Sequence, residues 1–318
     1  MSPEGATPGA DGRVAASSPD AEVAPAAPAL RRLLALAALL VFLAGVQLFV
    51  FTLRTERYFA WTIDPPMTAV FLGASYWSAV GLELAGARSR TWAGARIAVP
   101  AVFVFTTLTL VITIAHRDRF HFGAEHEAST RAVTWAWLVI YAVVPVLMVL
   151  AVLAQRRLST AVPPRRGLPA WVKVVLVVQA AVLLALGSAL LIDPGWADAA
   201  WPWPLSPLTG RAIGAWLVGL GVASAHALVV DDRPSLGPLG ITGVLFGALQ
   251  GIALLRHGDA LDWGGAPAYG YVAGLVVITV ISAWAVLPGD APARISPRRA
   301  ARSPRRGATP PARGDRGG

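Results

Sequence analysis

Apolar and polar residues alternate along this chain on a long scale. Eight apolar runs, at residues 33–53, 67–86, 97–116, 132–153, 172–192, 208–230, 236–255 and 269–287, are separated by polar or proline-bearing connections. Each is about 20 residues long, the length a helix needs to cross a hydrocarbon core of about 30 Å. Backbone polar groups inside a bilayer must be satisfied within their own segment, so the runs predict helices and not strands. The expected fold is all-α: a polytopic membrane protein with eight transmembrane helices. Pro100 and Pro145 fall inside the third and fourth runs, where neighbouring groups can satisfy the freed carbonyls. The first run follows Arg31-Arg32, is longer than the apolar core of a signal peptide and shows no obvious cleavage site, so it reads as a span.

Composition agrees with this picture. The 318 residues are 55% hydrophobic and 14% charged, against about a quarter charged in soluble domains. The net charge of +9 suggests a nucleic-acid surface until it is located: much of it sits in the tail at 294–316, and the rest in short loops. A basic tail beside a span sets orientation and touches anionic lipid, so the expected partner is the lipid bilayer, and no nucleic acid is expected. Cysteine is absent, which excludes disulfides, thiolate metal sites and cysteine nucleophiles.

Positive charge also sets the expected topology. Arg31 and Arg32, then Arg88, Arg90 and Arg96, then the cluster from Arg156 to Lys173, then Arg233 and the arginine tail alternate onto one side. The positive-inside rule makes that side, and both termini, cytoplasmic. The loops at 54–66, 117–131, 193–207 and 256–267 then face outward from the cell membrane, and they hold most of the unusual residues.

Those residues recur. Shifted by 141 positions, Pro66, Thr68, Gly73 and Ala74 meet Pro207, Thr209, Gly214 and Ala215, while His116 and Asp118 meet His257 and Asp259. Phe120 and Phe122 meet Leu261 and Trp263, and with a small gap Trp135-x-Trp137 meets Tyr269-x-Tyr271. Four spans per half bring both copies into the membrane in the same sense, so the expected arrangement is a tandem parallel 4+4 repeat. The expected organisation is a disordered tail at 1–29, a first four-helix repeat at 30–154, a cytoplasmic linker at 155–170, a second repeat at 171–288 and a disordered basic tail at 289–318.

Candidate chemistry concentrates in the outward loops. Residues 116–127 hold His116, Asp118, His121, Glu125, His126 and Glu127, and the second copy offers His257 and Asp259. Imidazole and carboxylate suit a divalent metal such as Zn²⁺, with His116, Asp118, His121, His257 and Asp259 as the candidate ligands. The spacing is not that of a helical metal pair: His116 and His121 lie five apart, so only a loop could join them. The plainer assignment has the histidines ending helices and the aspartates pairing with arginines. An outward histidine can also act as a pH sensor.

Trp61, Trp201, Trp203 and Trp263 stand where an aromatic belt is expected, or where indoles could line an outward cleft for a lipid-like ligand, and the stiff Trp-Pro-Trp-Pro at 201–204 could plug or cover the entrance to the second half. Asp64 precedes Pro65-Pro66, and Tyr76 falls in the following run. Thr68 and Thr209 lie in first helical turns, and Arg211 strengthens the idea of paired helix N-termini attracting an anion. Within the spans the ionisable residues are Glu83 and His226; a charge inside the membrane is by default a functional candidate, and the plainer alternative has Glu83 snorkelling towards Arg88 or Arg90. No phosphate-binding glycine loop, His-Glu-x-x-His, nucleophile elbow or dinucleotide fingerprint is present, and no cofactor or catalytic residue is implied.

The stretch FAWTIDPPMTAVFLGASYW at 59–77, with His-x-Asp-x-Phe-His-Phe at 116–122, resembles an uncharacterised family of actinobacterial multi-pass integral membrane proteins. The resemblance covers the spans and neither tail, and implies an integral membrane protein without assigning an activity. The expected function is a small-solute transporter or permease with its path between the two repeats. The alternatives are an outward-facing sensor or ligand-binding protein using the His/Asp/Trp-rich loops, and an intramembrane enzyme or metalloprotein using the 116–127 loop.

Overall fold

The structure, a computed structural model, describes residues 24–158 and 167–287. The tails at 1–23 and 288–318, the latter with its expected lipid contact, and linker residues 159–166 lie outside the described residues. Among the described residues the fold is all-helical, with two isolated bridges and no strand. Eight long helices carry it: α1 Pro28–Gly45, α2 Pro66–Arg88, α3 Val99–Ala115, α4 Ala128–Leu158, α5 Ala170–Ile192, α6 Pro207–Val230, α7 Gly237–His257 and α8 Ala266–Val286. A π-helical turn at Val46–Val50 continues α1.

Seven of these helices, counted with the turns that extend them, are long and apolar enough to cross a membrane. The chain is a polytopic helical membrane protein. The exception is α2, which carries Ser75, Tyr76, Ser78 and Glu83 and buries fourteen of its 23 residues. Shielding explains the exception: protein, not lipid, surrounds α2, so its surface need not be apolar. The other central helix is α6, 67% buried over its apolar window, against 22% for α5 and for α8.

Local chemistry fixes where the central helices begin. Pro66 starts α2, where a missing N–H costs nothing because first-turn donors have no intrahelical partner. Pro207 does the same for α6, and Ser206 and Thr209 cap each other's backbone N–H groups in a capping box. At its far end α6 stops at Asp231, whose φ of 44° is a left-handed conformation that aspartate tolerates better than most residues. The Asp231 carboxylate accepts from the Leu168 N–H at 2.8 Å and pairs with Lys173 Nζ at 2.7 Å, tying the start of α5 to the end of α6.

Helix α1 packs on α2 and α5 on α6, while α7 lies against α2 and α3 against α6. Glycines on the two central helices set close crossings. A Cβ on Gly73 would stand 2.5 Å from the Phe49 backbone nitrogen, and one on Gly214 would stand 2.8 Å from the Gly187 carbonyl oxygen. Small residues that admit such approach are how membrane helices gain contact area without a hydrophobic driving force. Outside, Val139, Val143, Val146 and Leu150 form an exposed stripe on α4, and Val174, Val177, Val178 and Val182 another on α5. Such stripes suit acyl chains.

Residues 24–29, expected within the N-terminal tail, pack against the bundle. Ala24, Ala26 and Ala27 are buried. The Gln155 side chain accepts from the Ala27 N–H at 2.7 Å and donates to the Pro25 carbonyl at 2.9 Å. Packing against the end of α4 orders an alanine-proline stretch that has no pattern of its own.

Candidate functional site

The loops preceding α2 and α6 fold down onto the bundle. At one end, Trp61 bridges Phe120 and the His121 N–H bonds to the Ala60 carbonyl at 3.0 Å. The Asp262 N–H bonds to the Pro202 carbonyl at 2.8 Å in the second pair of loops. Each joint gathers aromatic rings. Trp61 lies 4.5 Å from Phe59 and 5.2 Å from Trp137, while Trp203 lies 4.9 Å from Trp201 and 5.4 Å from Tyr271. Trp61, Trp201 and Trp203 are only 3%, 6% and 2% exposed. The expected aromatic belt is therefore corrected for Trp61, while Trp201 and Trp203 follow the alternative of a plug: all three close this end of the bundle, because their loops turn inward over the helix ends. Trp263 remains at the exposed rim.

The first-turn threonines hold this end together. Trp203 donates to Thr68 Oγ1 at 2.9 Å, and Thr209 is occupied by its capping box. Arg211 turns back along its helix: its guanidinium donates to the Leu191 carbonyl at 3.0 Å and meets His116 Nε2 at 3.1 Å. A basic side chain here satisfies the orphan carbonyls at the end of α5. The expected paired anion site at Thr68, Thr209 and Arg211 is thus not formed, since each group is spent on a local partner. Asp64 is exposed ahead of Pro65.

The histidines are also separated. His116 faces Arg211, and burial together with that guanidinium holds its pKa below the ordinary value, against the pull of Asp118. His121 Nδ1 lies 3.1 Å from the Phe59 carbonyl and Nε2 lies 3.1 Å from Thr62 Oγ1. Burial lowers its pKa, partly offset by the Phe59 carbonyl. Asp118 pairs with Arg119 at the surface, Asp259 is exposed, and His257 ends α7. Among the described residues no three His, Asp or Glu side chains gather as a metal site. The candidate set His116, Asp118, His121, His257 and Asp259 does not assemble, because loop folding points each at its own neighbours.

Beneath the aromatic plug lies a cavity of about 240 Å³, walled by α1, α2, α3, α4, α6 and α7. Tyr76 and Tyr141 share a hydrogen bond of 2.7 Å in its wall, and Trp216 stands edge-on to Tyr76 at 5.0 Å. Phe105, Trp137 and Trp216 separate the cavity from the plug. Glu83 also lines it, 3% exposed, and its Oε2 has no hydrogen-bond partner. Glu83 does not snorkel towards Arg88 or Arg90; it turns inward, corrected by a helix face that holds Tyr76, Ala79 and Glu83 together. A second cavity of about 80 Å³, among α5 to α8, shares Thr242 and Phe246 with the first, and Gln179 bonds to Ser224 there at 2.8 Å.

Sequence reasoning found Tyr76 and missed Tyr141, Trp216 and Phe105 as wall residues. The legible signal was the seven-residue spacing of Tyr76 and Glu83, two turns apart on one face of the least apolar long helix. No protein-family model, curated protein or solved structure matches the chain.

Proposed function

We propose that the chain is an eight-span protein of the cell membrane, built as two parallel four-helix halves, that carries a small and mostly apolar solute through the cavity beneath the aromatic plug. The observation that carries the transport reading is that cavity. Residues before and after the linker both line it, with Tyr76, Glu83 and Tyr141 on one side and Trp216 and Phe246 on the other.

Several features support the duplication. The ring contacts Trp61–Trp137 and Phe122–Trp135 have counterparts in Trp203–Tyr271 and Trp263–Tyr269. The short 3₁₀ turns Arg117–Arg119 and Gly258–Ala260 follow His116 and His257 at the same offset. Gly73 meets Phe49 and Gly214 meets Leu190, each pair separated by the same 141 positions. Gly45 meets Trp77 and Gly187 meets Val218, pairs 32 and 31 residues apart, and the π-helical turn at Val46–Val50 takes up the extra residue. Ser224, 141 positions from Glu83, lines the smaller cavity. The third helix of each half packs on the second helix of the other, α3 on α6 and α7 on α2. A site between the halves would then change shape whenever they rock against each other. The arginine distribution supports cytoplasmic termini, with the aromatic plug on the outer side.

The test is reconstitution. Liposomes containing the protein should release some members of a broad panel of entrapped small solutes that protein-free liposomes retain, and Ala79→Trp, which fills the cavity, should abolish the difference. Saturable binding without flux would favour the sensor reading, which the closed plug over the cavity supports. Neither binding nor flux across a broad solute panel would remove the reading.

A further inference from the structure

We propose that Glu83 makes the cavity a site for a small lipophilic amine, which enters sideways from the bilayer between α1 and α4. The inference rests on the reading of the cavity as a binding site and adds the class of ligand. Glu83 sits in a wall that is otherwise largely apolar or aromatic, and its Oε2 is buried without a hydrogen-bond donor. Among the described residues no lysine, arginine or histidine forms an ion pair with it. A buried carboxylate left unpaired is costly, and membrane proteins keep such groups where something partners them. A ligand ammonium supplies both the opposite charge and the missing donor.

The walls suit that ligand. Tyr76, Phe105, Trp137, Tyr141 and Trp216 present rings around the same space, and ring faces attract cations once water is excluded. Size narrows the class: at about 240 Å³ the cavity falls below the ~300–1,000 Å³ of sites for drug-sized molecules. The route is lateral. Leu43 on α1 and Ala136 on α4 both line the cavity and are exposed, and Leu39, Phe42, Val139 and Val143 flank that mouth with exposed apolar surface. A molecule dissolved in the bilayer meets the opening directly, while the aromatic plug closes the end above.

The experiment uses the full chain in nanodiscs of zwitterionic lipid, titrated calorimetrically with 3-phenylpropylamine and with 3-phenylpropan-1-ol, and empty nanodiscs correct for partitioning. The two probes match in size and differ in the terminal group. The amine should bind at least about tenfold tighter than the alcohol, as expected of a charge-assisted hydrogen bond replacing a neutral one. Glu83→Gln should erase that preference. Leu43→Trp, at an exposed position away from the carboxylate, should slow association of both probes and keep the preference. If E83Q fails to fold, the wild-type preference and the Leu43→Trp rates still decide. Equal wild-type affinities, or a preference kept by E83Q, would overturn the amine inference and leave the cavity reading standing. Saturable binding of neither probe would overturn both.

Discussion

Trp203 donates its indole N–H to Thr68 Oγ1 across 2.9 Å, joining the loop that leads into α6 to the first turn of α2. Both residues are buried. The corresponding indole of the other loop, Trp61, has no partner for its Nε1. One of the two indoles is therefore pinned by a polar bond and the other by packing alone. Thr68→Val keeps the shape and removes the acceptor, leaving a buried N–H unpaired, so it should destabilise the fold by about 1–3 kcal/mol. Trp61→Phe gives up no hydrogen bond and should show only its packing loss. Thermal unfolding of the detergent-solubilised protein checks this: an unchanged midpoint for Thr68→Val would mean that the bond adds nothing.

The crossing of α5 and α6 leaves no room for a side chain at Gly214, where an added Cβ would stand 2.8 Å from the Gly187 carbonyl oxygen and 3.1 Å from Leu190 Cβ. Gly214→Ala should cost about 1–3 kcal/mol, the usual penalty of overpacking. Gly251 lies in α7 with nothing within 4 Å of its added Cβ, so Gly251→Ala should be neutral or stabilising by up to about 1 kcal/mol. The pair shares one chemical change and differs only in surroundings. Similar unfolding midpoints would contradict the close crossing.

Acid should weaken the aromatic end of the bundle. His121 and His116 are held below their ordinary pKa of 6.5, so the folded chain resists protons that the unfolded chain accepts. More protons on the unfolded state means that stability falls as the pH drops below about 6.5, and is fully present above it. Around His121, the ring of His126 at 4.3 Å opposes the charged form, while Glu56 and Glu125 favour it. His121→Gln removes the titration and retains an amide able to reach the Phe59 carbonyl. Its unfolding midpoint should vary less than wild type between about pH 7.5 and 5.5. Parallel curves would assign the acid sensitivity elsewhere.

The absence of cysteine makes orientation directly measurable. Ala124→Cys, on the exposed loop after α3, should react with an impermeant maleimide added to intact cells. Arg90→Cys, exposed between α2 and α3, should react only after the membrane is opened. The reverse pattern would turn the protein over and put the aromatic plug inside the cell.

Much of the helical order was legible in the sequence, because a span needs only length and apolarity, and α5 and α8 satisfy both. The far end of α4 was not: the apolar run stops at residue 153, whereas the helix reaches Leu158 through Gln155, whose side chain holds the backbone at Pro25 and Ala27. The tryptophans show a different limit. An indole beside a helix end has the same sequence context whether it faces headgroups or folds under its own loop, and only the Trp61–Phe120 and Asp262–Pro202 backbone contacts decide. The direction of Glu83 was open in the sequence for a similar reason. Nearby arginines in the chain suggested pairing, but Arg88 and Arg90 stand beyond the helix face that carries Glu83 into the cavity. Tyr141 was missed because its partner Tyr76 lies 65 residues away.

The shielded position of α2 bears on how the protein is made. A helix carrying Glu83, Ser75, Ser78 and Tyr76, outside the apolar seven, offers the translocation machinery a weak stop signal when it emerges alone. Its later shelter, α7, is synthesised more than a hundred residues afterwards. Helix α1 must therefore act as its first chaperone, holding α2 as a hairpin through the Gly73 contact until the rest of the bundle arrives. In a glycosylation-mapping assay α2 alone should insert poorly and α1–α2 together well. Equal insertion would show that α2 needs no escort.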